Sequence, residues 1–508
     1  MGTVISSLRT AYKTLMELNS QYASVIERVN GSPGKPVPNP TSSIWQQPPT
    51  PLASHTSETH PEEVDVLIIG SGITACSIAY HLLRSSESTT GKTPRVAIFE
   101  ARELCSGATG RNGGHIKETP YMEWGTLLAR FGRGAADEVV RFRMAHLKQL
   151  LELAEKEGIA AAADMREVET VDVFCEADAW RDAQQKLRDW LEAFPDEKGH
   201  WKVWEGDDLK TKFGLTTAKG VITGPAGAGA PYTLITELYS KLLREFPTLS
   251  IDCNTPIETL HGTPVDPWRR PLTPLQPYSV FTFKGTSRTI KATHVVHATN
   301  GHVSRLVPGL KGRIIPVRGQ MTAQRLFPEN AALPGGTNRS WTFFWNKGFD
   351  YMTCLEDGRY VLGGGWARGS NAGMDALGNA TDDENTIFET AYLGGLLPSI
   401  FPELVQGVTV EQAWTGTLGF SVDSLPWVGP VPERVAGGRK NGTGSEWICA
   451  GYSGEGMVNA WGCGQGLAAM LRNQMYGENA VIGIPSVMMI TEKRVKKAGI
   501  EMLVEDYM

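Results

Sequence analysis

Apolar residues crowd into Val64, Val66, Leu67, Ile68 and Ile69 and stop abruptly at Gly70-Ser71-Gly72. A short apolar run closed by glycine predicts a strand buried on both faces. Ala75, Ile78, Ala79, Leu82 and Leu83 then recur at helical spacing, and a second short run from Arg95 to Phe99 ends on Glu100. The pattern is strand, glycine turn, helix, strand, acid. Weaker versions return at Thr293 to Gly301, a strand entering a small-residue turn, and at Trp447 to Met457. There, Gly451-Tyr452-Ser453-Gly454-Glu455-Gly456-Met457 leads into an alanine- and glycine-rich helix to Leu471.

A β-rich stretch starts at Pro316 to Met321 and continues through Trp341 to Trp345, Phe349 to Leu355 and Tyr360 to Gly365, where aromatics alternate and predict a mostly antiparallel sheet with one face buried. Helices are expected over Val139 to Glu157, Thr233 to Glu245 and Thr381 to Leu397, and strands over Ser250 to Leu260 and Tyr278 to Lys284. Trp180, Trp190, Trp201 and Trp204 accompany charge-rich helices and suggest a second domain with its own core. Near the start, Ile5, Leu8, Tyr12, Leu15, Tyr22, Ile26 and Val29 draw one stripe along a helix, expected to pack on the protein itself. The polar, proline-rich stretch from Asn30 to Glu63 cannot form a core and reads as an extended connector pinned by Trp45.

A length of 508 residues allows two to four domains, and 41% hydrophobic with 20% charged residues is ordinary globular usage. The net charge of −6 gives no basic footprint, so no nucleic-acid partner is expected. The seven cysteines are scattered without a C-x-x-C pair, which reads as reduced thiols and no metal site. Neither a secretory segment nor a membrane-spanning run stands out, so the expected location is cytoplasmic. Met1-Gly2-Thr3-Val4-Ile5-Ser6 fits an N-myristoylation pattern with Gly2 as acceptor, which would give weak peripheral membrane association. The oligomeric state stays open.

The first pattern matches a dinucleotide-binding βαβ unit. Gly70 permits the turn, Gly72 lets backbone approach a pyrophosphate, and Ala75 lets helix and strand pack closely. Ile73 and Thr74 open a helix whose N-terminus favours phosphate. Glu100 can accept hydrogen bonds from a ribose diol. This motif alone leaves NAD and FAD both open. The loop Gly107-Ala108-Thr109-Gly110-Arg111-Asn112-Gly113-Gly114-His115 can turn its N–H groups toward an acceptor-rich ligand.

Together these motifs resemble, in order, the D-amino-acid-oxidase-type FAD-dependent oxidoreductases, the group with glycine oxidase, sarcosine oxidase and γ-glutamylputrescine oxidase. The similarity spans about Val64 to Arg472. It implies an α/β fold: a Rossmann-type FAD-binding domain interleaved with a substrate domain on a mostly antiparallel sheet. The corresponding segments are 64–120, 226–305 and 411–475 for FAD, and 121–225 with 306–410 for substrate. Outside them lie helix 1–30, arm 31–63 and extension 476–508.

The resemblance also implies roles. Gly70, Gly72 and Ala75 would meet the pyrophosphate, Glu100 the ribose, and Ala101 and Arg102 the adenine side. Gly107, Ala108, Thr109, Arg111, Asn112, Gly113, Gly114 and His115 would run past the ribityl chain and ring. Ile257 would meet the adenine edge, Ala298, Thr299 and Gly301 would form a second phosphate-side turn, and Gly419 would also bind the cofactor. Gly454, Glu455, Gly456 and Met457 would face the flavin pyrimidine. Relatives with a covalent flavin carry Cys or His where this chain has Trp414 and Arg111, so noncovalent FAD is expected.

The implied reaction is oxidation of an amine or amino acid to an imine with O2 as acceptor and H2O2 as product. A dehydrogenase with another acceptor and a non-catalytic flavoprotein scaffold are the alternatives. His115, Arg318, Tyr452 and Glu455 are the candidate catalytic residues. His115 either faces substrate or fills the core, and Arg318 either holds a substrate carboxylate or pairs with a structural acid. Glu455 stands where relatives often have His and would suit a cationic substrate. Tyr232, Trp345, Trp414 and Phe420 either form an aromatic cage for an amine or pack in the core.

Overall fold

Glu63–Ile69, Val96–Phe99 and Leu249–Asp252 pair in parallel on one side of the first sheet, and Thr286–His297 and Glu446–Ala450 extend it in parallel on the other. Trp427–Pro430 closes one edge antiparallel, and Ile257–His261 and Tyr278–Lys284 add an antiparallel wing. The computed structural model describes residues 20–58, 61–84, 93–261, 278–284, 286–439 and 445–507. The central strands are buried on both faces, which is why Val66 to Ile69 and Val96 to Phe99 are continuously apolar. Helix Ile73–Leu83 packs against helix Ala460–Tyr476, where a Cβ on Gly464 would come within 2.6 Å of Ser77.

The second sheet runs in the order Gly407–Ser421, Ile314–Phe327, Tyr360–Gly364, Phe349–Cys354, Arg339–Phe344, Arg166–Phe174, Gly220–Ala228 and His115–Ile116. All these neighbours are antiparallel except Arg339–Phe344 with Arg166–Phe174. Alternation divides its faces. Val171, Val173, Trp341, Phe343, Met352 and Leu362 turn to one side and bury against Leu393, Leu396, Leu397 and Ile400 of helix Ile387–Ile400. Thr170, Asp172, Ser340, Thr342 and Tyr351 occupy the intervening positions on the other side.

Several expectations change in detail. Trp180, Trp190 and Trp201 join the same apolar cluster as Ile68, Ala79 and Ile98, so the helical layer shares the core of the parallel sheet. The boundary expected at 411 falls inside the continuous strand Gly407–Ser421. Helical residues 20–30 bury Val25 and Val29 against Val317 and Leu377, and Arg28 Nη2 donates to the Met374 carbonyl at 2.9 Å. Tyr22, expected in the packed stripe, is 54% exposed because Val25 and Val29 define the docking side. Ile5, Leu8, Tyr12 and Leu15 of that stripe, with Gly2, lie outside the described residues. The C-terminal extension is packed: Met488 and Ile490 are buried and Arg494 holds Asp423 at 2.7 Å. Among the described residues no helix is long and apolar enough to cross a membrane.

Candidate active site

A cavity opens where the parallel strands end, the position an open α/β sheet leaves for a ligand. Gly70, Gly72, Ile73 and Thr74 line it after the first strand, Glu100, Ala101 and Arg102 after the second, and Ala298 and Thr299 after Thr286–His297. Gly107, Ala108, Thr109 and Asn112 contribute the glycine-rich loop, Ile257 one wall, and Tyr452, Gly454, Gly456 and Met457 the last turn. Residues drawn from six separate stretches therefore meet as the motifs imply.

The cavity fits a dinucleotide. Gly70 adopts φ +102° and a Cβ there would sit 2.8 Å from the Ala298 carbonyl oxygen, whereas a Cβ on Gly72 would reach 3.0 Å from Thr109 Oγ1. Backbone can thus approach a phosphate without obstruction. No side chain of the preceding residue caps helix Ile73–Leu83; the Ile73 N–H donates to Thr109 Oγ1 at 3.0 Å, and first-turn N–H groups have no carbonyl partner within a helix. Glu100 is held in place by donors: Ser71 N–H at 3.0 Å and Ser71 Oγ at 2.7 Å on Oε2, and Arg102 N–H at 3.0 Å on Oε1. Its remaining lone pairs suit a ribose diol.

Other expected cofactor residues support the cavity from behind. Ala75 is fully buried, and a Cβ on Gly301 would lie 2.6 Å from the Leu418 carbonyl oxygen, with Gly419 equally tight against Asn300. Gly113 accepts from Thr353 Oγ1 at 2.7 Å, and Gly114, at φ +76°, leaves room for Trp45. Arg111 donates from Nε to the Ser106 carbonyl at 2.8 Å and from Nη1 to the Thr415 carbonyl at 2.8 Å. It also lies 3.5 Å from Asp382, which Arg102 engages with both Nη atoms at 2.8 and 3.0 Å. Burial lowers Arg111 to about 10 against the opposing pull of Asp382.

Of the catalytic candidates, Arg318 takes its structural alternative and donates from Nη1 to Glu384 at 2.8 Å. The Tyr452 hydroxyl lies 2.8 Å from Thr74 Oγ1 and joins the first and last glycine turns. The aromatic cage does not assemble: Tyr232, Trp345, Trp414 and Phe420 fall in four different apolar clusters. Trp345 Nε1 donates to Asp350 at 2.8 Å and Trp414 Nε1 to the Arg111 carbonyl at 3.0 Å, so both indoles serve packing.

His115 is different. Its Nδ1 lies 2.7 Å from Ser340 Oγ, its ring meets Tyr351 edge-on at 5.1 Å, and its buried Nε2 has no hydrogen-bond partner. Burial, reinforced by Lys117, lowers it to about 3, so it is neutral at ordinary pH. Beside it, Lys117 Nζ bridges Asp172 and Thr342 at 2.5 Å each, and the Tyr121 hydroxyl donates to Asp172 at 2.9 Å. These partners were missed in the sequence. The available signal was polar residues at period two inside otherwise apolar strands: Thr170 and Asp172, Ser340 and Thr342, Tyr351 and Thr353.

Behind this face sits an acid-rich group. Burial pushes Glu455 up to about 7, with Arg143 opposing and Glu123 reinforcing. Burial likewise pushes Glu118 up to about 8, although Arg143 Nη1 lies 3.9 Å away. A carboxyl raised in the folded state from 4.5 favours folding while protonated, and that contribution is lost as pH rises through about 8. Glu118→Gln removes the linkage. Between pH about 5 and about 9 the thermal midpoint of the variant should fall a few degrees less than that of the parent; parallel falls would contradict the assignment.

Compared with known proteins, residues 65–470 match the family model described as DAO, FAD dependent oxidoreductase. No curated protein matches in sequence. Solved structures do: a glycine oxidase from Geobacillus kaustophilus is 18% identical, with 85% of this chain and 99% of that chain covered and a TM-score of 0.61. An L-proline dehydrogenase from P. horikoshii is 19% identical over 83% and 95%, with a TM-score of 0.58. An L-amino acid deaminase from Proteus vulgaris is 16% identical over 86% and 96%, with a TM-score of 0.59.

Proposed function

The chain belongs to the DAO family of FAD dependent oxidoreductases and uses FAD, and on that premise we propose that it oxidises an amine or amino acid at the carbon next to nitrogen, with noncovalent FAD and O2 as acceptor. Bound FAD supplies a two-electron acceptor for the hydride leaving that carbon. The imine product hydrolyses in water, and return of the electrons to O2 gives H2O2.

The observation that carries this reading is the unpartnered Nε2 of a neutral His115 beside Tyr351, next to the glycine loop that enters the cavity. Only an unprotonated amine can release hydride readily, so the site must hold the substrate nitrogen without protonating it. A neutral imidazole fixed by Ser340 can hydrogen-bond that nitrogen. Glu455, titrating near neutrality, can take the proton that an incoming ammonium sheds. Lys117 and Asp172 neutralise each other and keep the sheet face polar without net charge. Noncovalent binding is supported by the commitment of the Trp414 indole to the Arg111 carbonyl.

Anaerobic mixing with polyamines, N-methyl amino acids, cyclic imino acids and D-amino acids should bleach the visible flavin bands with at least one class. His115→Ala should slow that bleaching by roughly 100-fold while leaving flavin content unchanged. Failure of every amine to bleach the flavin would favour a scaffold role. Rapid bleaching followed by slow reoxidation in air would assign a different electron acceptor.

A further inference from the structure

Residues 34–58 precede the stretch that matches the family model, yet the arm begins on the cofactor cavity. Gly34, Lys35 and Pro36 line it, on the side of Ile257 and Arg305. From there the arm is tied at intervals to residues that build the cavity. The Val37 carbonyl accepts from Arg102 Nη1 at 3.2 Å. The Thr41 N–H donates to the Asp382 carbonyl at 2.7 Å, and Thr41 Oγ1 accepts from Arg111 Nη1 at 3.2 Å. Trp45 Nε1 donates to the Asn112 carbonyl at 2.6 Å. Beyond the exposed Gln47 to Pro49, the Ala53 carbonyl accepts from Leu104 N–H at 2.8 Å and Thr56 bridges Asp252.

We infer that this arm is a built part of the cofactor site, a strap whose Gly34 to Pro36 segment covers the adenosine half of the dinucleotide and sets how long FAD stays bound. The inference rests on placing the adenosine end at Glu100 and Ile257. Two observations point to the ligand. The arm's fastenings go to Arg102, Asn112 and Asp382, which line the cavity, and to Arg111 behind it, and a spacer would need none of them. Its sequence is also suited to closing over a site: Pro33, Pro36, Pro38 and Pro40 hold the backbone extended, so little conformational freedom remains to be lost when it lies down. Lys35 anchors the end, with Nζ 2.6 Å from Glu258 Oε1, a carboxylate that Arg305 also engages at 3.1 Å. A flat adenine ring beneath Gly34 and Pro36 would be shielded from water by them.

The test loosens the strap without cutting it. In the full chain, Pro33→Gly, Pro38→Gly and Pro40→Gly together keep every main-chain carbonyl used here, leave Pro36 in place over the cavity, and raise the freedom of the undocked arm. FAD release, followed as the gain in flavin fluorescence on dilution of the holoprotein, should accelerate by about tenfold or more. Trp45→Ala, which removes the Asn112 fastening, should act in the same direction. The melting point of the holoprotein should fall further than that of the apoprotein, because only the holoprotein loses cofactor retention as well as packing. Release rates within twofold of the parent in both variants, or equal falls in apo- and holoprotein melting, would overturn the inference and leave the arm as ordinary packing. Because the readout is flavin release, an inactive protein in every amine assay would not affect the outcome.

Discussion

Gly72→Val is expected to yield a folded but colourless protein, with FAD affinity weakened at least about 100-fold, or ~3 kcal/mol. Gly72 has an ordinary extended conformation, so valine meets no backbone strain. Its Cβ would sit 3.0 Å from Thr109 Oγ1, and the two methyl groups beyond it project where the backbone must approach a pyrophosphate. Displacing Thr109 also disturbs the hydrogen bond it accepts from Ile73. Gly70 is a poorer test, because its φ of +102° and the 2.8 Å approach to Ala298 would strain the turn itself. Visible absorbance, far-ultraviolet dichroism and an FAD titration decide the matter. A yellow Gly72→Val protein with parental flavin content would remove the dinucleotide assignment from this turn.

Asp382→Ala should be the most destabilising single change, costing about 3–5 kcal/mol. The carboxylate is 2% exposed and lies between two buried guanidiniums, Arg102 in bidentate contact and Arg111 at 3.5 Å. Removing it leaves two like charges facing each other in a poorly hydrated interior. Burial already depresses Arg111 with its carboxylate present, which shows how little water reaches that side chain. The damage should therefore be relieved when a charge is removed as well: Arg102→Met with Asp382→Leu should be less destabilised than Asp382→Ala alone. Chemical denaturation of the four-member cycle measures the coupling. Additive effects would mean that the pair contributes no more than surface ions.

Much of the fold was legible because the parallel strands are buried on both faces. Val66 to Ile69 and Val96 to Phe99 carry no polar residue, and glycine marks where the first one ends. Glu100 and the turns at Gly70 and Gly454 were readable for the same reason: local backbone requirements leave a local signature. The substrate side was not. Lys117, Asp172 and Tyr351 come from three separate stretches and meet only through strand pairing, and no sequence rule specifies which strands become neighbours. The aromatic cage failed on related grounds. An isolated Trp or Tyr is usually apolar packing, and Trp414 and Tyr232 look the same in sequence whether they face a ligand or a core. Arg318 leaned toward a structural role in the sequence, and Glu384, 66 positions away, fills it. Asp382 carried no signal at all, since its role exists only once Arg102 and Arg111 converge on it.

The arm between Gly34 and Thr56 is synthesised before every strand it touches. Thr41 bonds to Thr415, which follows it by 374 positions, and Thr56 waits for Asp252. A ribosome delivers residues in order, and contacts this remote close slowly. This early-made stretch is therefore among the last to settle, since it cannot finish docking before Thr415 has been made. Bulky fusions placed ahead of this stretch would be carried along the rim of the flavin pocket, whereas fusions at the opposite terminus would leave that late step unhindered.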